Sequence, residues 1–174
     1  MSKILAIPKH KILCGEGVTK TVWFDIWSSY GKDMLYLDLS QDFKLFYKII
    51  PYLIIEHEGR YLVYEGDGSY CFNLAGLVYI REGMGHDPIR TIINHNADKY
   101  VKTHTGISAL GFIRSTNSHP NDLAVVYIMK LKKQKKPRNC VWLTLDELIN
   151  KCRMFDSFGI EFIDYLVRKK VKTN

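Results

Sequence analysis

The sequence predicts an α+β domain in which a mixed β-sheet is flanked by helices. Three observations carry this. Runs rich in β-branched and aromatic residues recur along the chain, separated by short turn signals. The segment "DPIRTIINHNADKY" instead repeats its apolar residues at helical spacing. A second helical pattern, "DSFGIEFIDYLVRKK", closes the chain. Strands, helix, strands and helix in that order describe one layered domain with segregated elements.

Each element has a local reason. "KTVWFDIW" and "DMLYLDL" are expected as strands, with "SSYGK" as the loop between them. "YKIIPYLIIE" followed by "RYLVYEG" is the clearest hairpin, because "HEGR" is a short turn containing glycine. Pro51 interrupts that first run and favours an edge or a bulge there. "CFNLAGLVYI" is expected as a further strand ending near Gly76. Asp87 is a suitable N-cap and Pro88 a suitable first residue for the following helix. Ile89, Ile92, Ile93, Asn96, Ala97 and Tyr100 form its mostly apolar stripe. "GISALGFIRS" and "LAVVYIMKLK" are two strands joined by the polar turn "TNSHPND". "NCVWL" is short and extended, and Thr144 with Glu147 has the spacing of a capping box for "LDELIN".

Composition narrows the class. With 174 residues, 47% hydrophobic, the chain can bury a sizeable single core. No apolar run reaches the roughly 20 residues needed to span a bilayer. The start "MSKILAIPKHK" lacks the apolar core of a signal peptide. Cys14, Cys71, Cys140 and Cys152 have no C-x-x-C spacing, which points to reduced thiols and a cytoplasmic setting. The net charge of +7 is partly local. Lys130, Lys132, Lys133, Lys135, Lys136 and Arg138 fall in one segment without an acid, and "RKKVK" follows near the end. Such patches attract polyanions by counterion release; the plainer alternative is a solvated loop and a frayed terminus.

Gly76, Glu82, Arg90 and Ile92 stand at the spacing of glycine, five residues, glutamate, seven residues, arginine and an aliphatic residue. With the loop–helix context after a hairpin, this resembles the box of the Nudix (MutT-like) hydrolase superfamily. "LGFIRSTNSHPNDLAVVYIMKL", "VWLTLDEL" and "FDSFGIEFIDYL" are similar to later elements of MutT-like members. The likeness runs over roughly residues 46–169. It implies a Nudix-like α/β/α sandwich over residues 46–174, preceded by a β-rich extension over residues 1–45. It also implies a structural ion pair between Glu82 and Arg90.

The resemblance breaks where the family holds its metal ions. Thr91, Asn94 and His95 replace the helix glutamates, and Ala97 replaces the glycine. Mg²⁺ is a hard ion held by oxygen ligands, usually carboxylates, and an amide and an imidazole supply no negative charge. The box is therefore degenerate, with no catalytic or metal-binding role expected for Gly76, Glu82, Arg90, Asn94 or His95.

Other chemistry is weaker. His86, His95 and His104 have no standard zinc spacing. Glu56, Glu58, Glu65 and Asp67 cluster around the first hairpin, where they either rebuild a carboxylate site or form a solvated turn. Cys71 and Cys140 are expected as buried, inert thiols. Trp23, Phe24, Trp27, Tyr30 and Tyr36 suit core packing first, then a protein interface, then base stacking.

The expected function is that of a non-catalytic pseudoenzyme, a binding or assembly protein on a degenerate Nudix scaffold, without a cofactor. Its partner is expected to be a protein assembly, with RNA, DNA or a nucleotide-type ligand as other candidates, and no membrane. One alternative is a divergent Nudix hydrolase that cleaves a nucleoside diphosphate linked to another group, using Mg²⁺ or Mn²⁺. The other is a basic nucleic-acid-binding module.

Overall fold

A computed structural model describes residues 3–21, 25–74, 76, 78–100, 104–116, 119–134 and 137–173. Its centre is the pairing of β4 (Phe46–His57) with β8 (Asp122–Leu131), two apolar runs lying parallel from Lys48↔Asp122 to Glu56↔Lys130. Both strands are apolar on successive residues because both faces are covered. Ile49, Leu53 and Ile55 of β4 face one core with Leu123, Val125 and Tyr127 of β8. Ile50, Tyr52 and Ile54 face the other core with Ala124 and Val126.

The remaining strands extend this pair antiparallel. β7 (His104–Arg114) lies beyond β8, and β2 (Gly17–Lys20) beyond β7. On the other side β1 (Lys3–Pro8) pairs with β4, and β3 (Leu35–Asp38) with β1. β5 (Arg60–Gly66) pairs with the far end of β4 and carries β6 (Ser69–Cys71) and β9 (Cys140–Thr144). The β4–β5 turn fits the right-handed strand twist because Glu58 and Gly59 both have positive φ, 49° and 76°.

Helices cover both faces. α2 (Pro88–Tyr100) presses Ile89, Ile92, Ile93 and Ala97 onto the first core. α3 (Leu145–Lys151) and α4 (Ser157–Thr173) cover the second, with Leu148, Phe158, Phe162 and Leu166 buried. Thr144 and Glu147 form the expected capping box at the start of α3. The result is the expected α+β sandwich with a mixed sheet.

Four local expectations are corrected. "KTVWFDIW" is not one strand: β2 stops at Lys20, and α1 (Ile26–Tyr30) begins after Asp25. The Asp25 carboxylate accepts from the Trp27 N–H at 3.0 Å and the Ser28 hydroxyl at 2.5 Å, so an N-cap outweighs the β-propensity of the aromatics. "SSYGK", expected as a loop, completes α1 and a short 3₁₀ turn over Gly31–Asp33. The strand expected over "CFNLAGLVYI" ends at Cys71. Asn73 breaks it, because its buried side chain bonds backbone groups of β4 instead of leaving Asn73 in a ladder.

That same contact explains Pro51, which lies in a central strand rather than on an edge. β1 pairs with β4 only up to Lys48, and β5 joins only from Ile55. Pro51 faces the gap between them, where its missing N–H removes no ladder bond. Asn73 fills the gap, donating to the Pro51 carbonyl at 3.0 Å and accepting from the Leu53 N–H at 3.4 Å.

Residues 1–45, expected as an extension, contribute three strands to this same sheet. Trp27, Tyr30 and Tyr36 pack against the first core, as their preferred reading held; Trp23 and Phe24 lie outside the described residues. The four cysteines are free, and burial raises the pKa of Cys71 and Cys140, which keeps both thiols protonated at neutral pH. No helix among the described residues is long and apolar enough to cross a membrane.

An ion pair fixes the start of the parallel pairing. Lys48 Nζ lies 2.9 Å from Asp122 Oδ1, and the Asp122 side chain is only 3% exposed. The Tyr79 hydroxyl donates to Asp122 Oδ2 at 3.0 Å, and Lys48 donates to that hydroxyl at 3.1 Å. Burial alone would lower the lysine pKa, but the bonds to Asp122 and Tyr79 outweigh it and raise the value above 10.5. A lysine raised on folding stabilises fully below its unfolded pKa and loses that contribution as pH climbs through the folded value. The pair is thus intact at neutral pH, and the lysine's contribution is lost in strong alkali. Replacing Lys48 by Met strands a buried carboxylate and should cost about 3–5 kcal/mol in urea unfolding at pH 7. The double change Lys48→Met with Asp122→Leu should recover much of that loss.

Candidate functional site

The loop from Gly76 to Asp87 is built onto the sheet by β1. Leu5 N–H donates to the Ile80 carbonyl at 2.8 Å, and Glu82 N–H to the Lys3 carbonyl at 3.4 Å. Gly76 has φ +71°, a left-handed conformation in which a side chain would be strained. Its N–H donates to the Asn73 carbonyl at 2.8 Å, so the residue that bridges the β4 gap also turns the chain into the loop.

α2 starts where the sequence placed it. Asp87 accepts from the Arg90 N–H at 2.9 Å, and the Thr91 hydroxyl donates back to the Asp87 carbonyl at 2.8 Å. Thr91, Asn94 and His95 are exposed on the helix, while Ile92, Ile93 and Ala97 are buried beneath it.

Glu82 and Arg90, expected to pair, have different partners. Glu82 lies 3.8 Å from Lys3, and both side chains are largely exposed. Arg90 donates to the Ile107 carbonyl at 3.3 Å and sits 5.4 Å from the centroid of the Tyr127 ring. The reason is the route of the loop: its backbone bonds to β1 carry Glu82 toward Lys3, whereas α2 points Arg90 at β7 and β8.

Two cavities flank this region. One, of about 370 Å³, lies between the loop and α2. Val78, Tyr79, Arg81 and Met84 line it from the loop, and Ile92, His95 and Asn96 from the helix. None of these residues is acidic. Of the expected box positions, His95 and the aliphatic Ile92 line it. The loop residues were missed by sequence reasoning; their one signal was membership of the glycine-bounded loop. The second cavity, of about 360 Å³, collects Asp25, Asp87, Arg90, Ser108 and Tyr127. Burial raises the Asp87 pKa, the Arg90 N–H bond opposes this, and the charge of Asp25 adds to the rise. Burial also pushes the Tyr127 phenol up to about 12.

The other candidates are dispersed. Glu56 pairs with Lys130 at 3.8 Å, Glu65 accepts from the Tyr70 hydroxyl at 2.8 Å, and Glu58 and Asp67 occupy turns. His86 and His95 are exposed. No group of three metal-ligating side chains forms among the described residues. In the basic segment Lys132, Lys133 and Arg138 are exposed, and Lys135 and Lys136 lie outside the described residues.

No protein-family model matches the sequence, and no curated protein matches it. Among solved structures the chain is similar to the crystal structure of Tm1382, a candidate Nudix hydrolase. The TM-score is 0.69 at 18% identity, with 95% of this chain and 98% of that chain covered. The fold is therefore Nudix-like. At 95% of this chain, the likeness extends past residues 46–169.

The observed partners of Glu82 lead to a stability test. An exposed pair contributes about 0–1 kcal/mol, so Glu82→Gln should change unfolding free energy by no more than that. A loss of several kcal/mol in urea unfolding would restore the buried pairing with Arg90.

Proposed function

We propose that this chain is a binding or assembly protein built on a Nudix-like fold, and that it does not hydrolyse nucleoside diphosphate compounds. One observation carries the reading: Thr91, Asn94 and His95 occupy the exposed face of α2, and the cavity beside them has no acidic lining residue. A hydroxyl, an amide and an imidazole bring no negative charge, and the Thr91 hydroxyl is already committed to the Asp87 carbonyl. This donor set does not fit a Mg²⁺ or Mn²⁺ centre of hard oxygen ligands. A fold shared with hydrolases does not confer hydrolysis. The test is incubation of the full chain with nucleoside diphosphate compounds and Mg²⁺ or Mn²⁺, followed by chromatography of the products. No turnover above background is expected. Metal-dependent turnover that vanished in Glu82→Gln would establish the hydrolase reading instead.

A second reading concerns the segment from Lys130 to Arg138. Lys132, Lys133 and Arg138 are exposed on the β8–β9 connection, and Lys130 is held near Glu56. Like charges crowded in one connection repel, and a polyanionic partner relieves the repulsion. Changing Lys132, Lys133, Lys135 and Lys136 together to Gln should weaken binding to a nucleic-acid probe and flatten its salt dependence. The unfolding free energy should move by about 0.5 kcal/mol or less per site. Identical salt titrations for parent and variant would leave the segment a solubilising loop.

A further inference from the structure

We infer that the cavity between the loop and α2 receives a segment of a partner protein that presents a large apolar side chain beside a carboxylate. The inference rests on the non-catalytic reading, since a cleft occupied by metal and diphosphate leaves no room for it.

Three features point to this occupant. The first is apolar surface. Val78 is 46% exposed and Met84 36% exposed, and both line the cavity with Ile92 behind them. Methionine also adapts its shape to different partners. The second is charge. Arg81 lines the cavity, is exposed, and has no ion-pair partner among the described residues. His95 stands across from it on α2, and Glu82, next to Arg81 in the chain, is drawn toward Lys3. An arginine free of an internal carboxylate presents a planar fork that matches an incoming one.

The third feature is shape, which favours a protein segment over a small molecule. Small-ligand pockets enclose about 70–90% of the ligand. Here the front lining stays open to solvent, as the exposure of Val78 and Met84 shows. The back is firm: Tyr79 lines the cavity while its hydroxyl is held by Lys48 and Asp122. A rigid floor with an open apolar rim suits one anchoring side chain of a larger partner, with the surrounding contact excluding water.

The experiment selects phage-displayed random peptides on the immobilised full chain and measures synthetic versions by fluorescence polarisation. Selected peptides should carry a large apolar residue within two positions of Asp or Glu. Changing that acid to its amide should weaken binding roughly tenfold, as should Arg81→Gln. The two changes together should cost little more than either alone, because they remove one interaction. Met84→Ser should weaken binding through the apolar anchor, and all these surface variants should keep the parent Tm. If one does not, Val78→Ser reports on the same cleft. Failure to enrich peptides, enrichment without an acid, or indifference to both Arg81 and Met84 overturns the inference. So does saturation of the cleft by 4-phenylbutyrate at micromolar concentration with no peptide selected, which would assign a small organic acid instead. Failure of the non-catalytic reading is separate and shows as metal-dependent turnover.

Discussion

The Lys48–Asp122 pair ties the centre of the sheet to the elements packed around it. The two residues are register partners at the start of the parallel β4–β8 pairing. A parallel pair cannot be set by a tight turn, so its register needs another constraint. The buried Asp122 carboxylate paired with Lys48 supplies it, because a slip by one residue would part the two charges. The pair also reaches outward. Tyr79 brings in the loop, and His119 lies 3.5 Å from Asp122 while stacking on Phe158 of α4. Sheet centre, loop and second helical layer therefore share one polar cluster.

The N-terminal residues serve the site as much as the sheet. β1 pairs with β4 over Ala6–Pro8, and its earlier residues bond the loop at Ile80 and Glu82. The sixteen-residue connection between β6 and α2 would otherwise have few backbone partners. Held along β1, it presents Val78, Arg81 and Met84 at a fixed distance from α2. The same attachment takes Glu82 away from Arg90. Arg90 is then left with the Ile107 carbonyl and the Tyr127 ring, close to Asp25 and Asp87.

On a Nudix-like frame, the side chains on α2 and the loop set what the cleft attracts. Carboxylates on α2 would gather cations and, through them, phosphates. Thr91, Asn94 and His95 carry no negative charge on α2, and Arg81 lines the adjoining cavity with the exposed Val78 and Met84. The basic β8–β9 connection lies apart from this cleft, so a polyanion there and a protein segment at α2 would not compete for the same side chains.

The sequence by itself determined the elements whose cause is local. α2 follows from Asp87, Pro88 and a helical apolar stripe; α3 follows from the Thr144–Glu147 box; the β4–β5 hairpin follows from Glu58-Gly59. It also determined that positions 91, 94 and 95 of α2 carry no acid, since residue identity needs no coordinates. Tertiary structure decided whatever depends on a distant partner. One local competition was also left open by pattern: Trp27 is helical because the Asp25 side chain caps α1 against the β-propensity of the tryptophan. The strand expected through Leu74 became a loop because Asn73 fills a gap in a ladder 20 residues earlier. Glu82 found Lys3 rather than Arg90 because β1, far away in sequence, runs beside the loop. Spacing along a chain fixes which residues share a turn or a helix face, but partners across a sheet are chosen by the order in which strands assemble, and that order is set by burial of both faces at once.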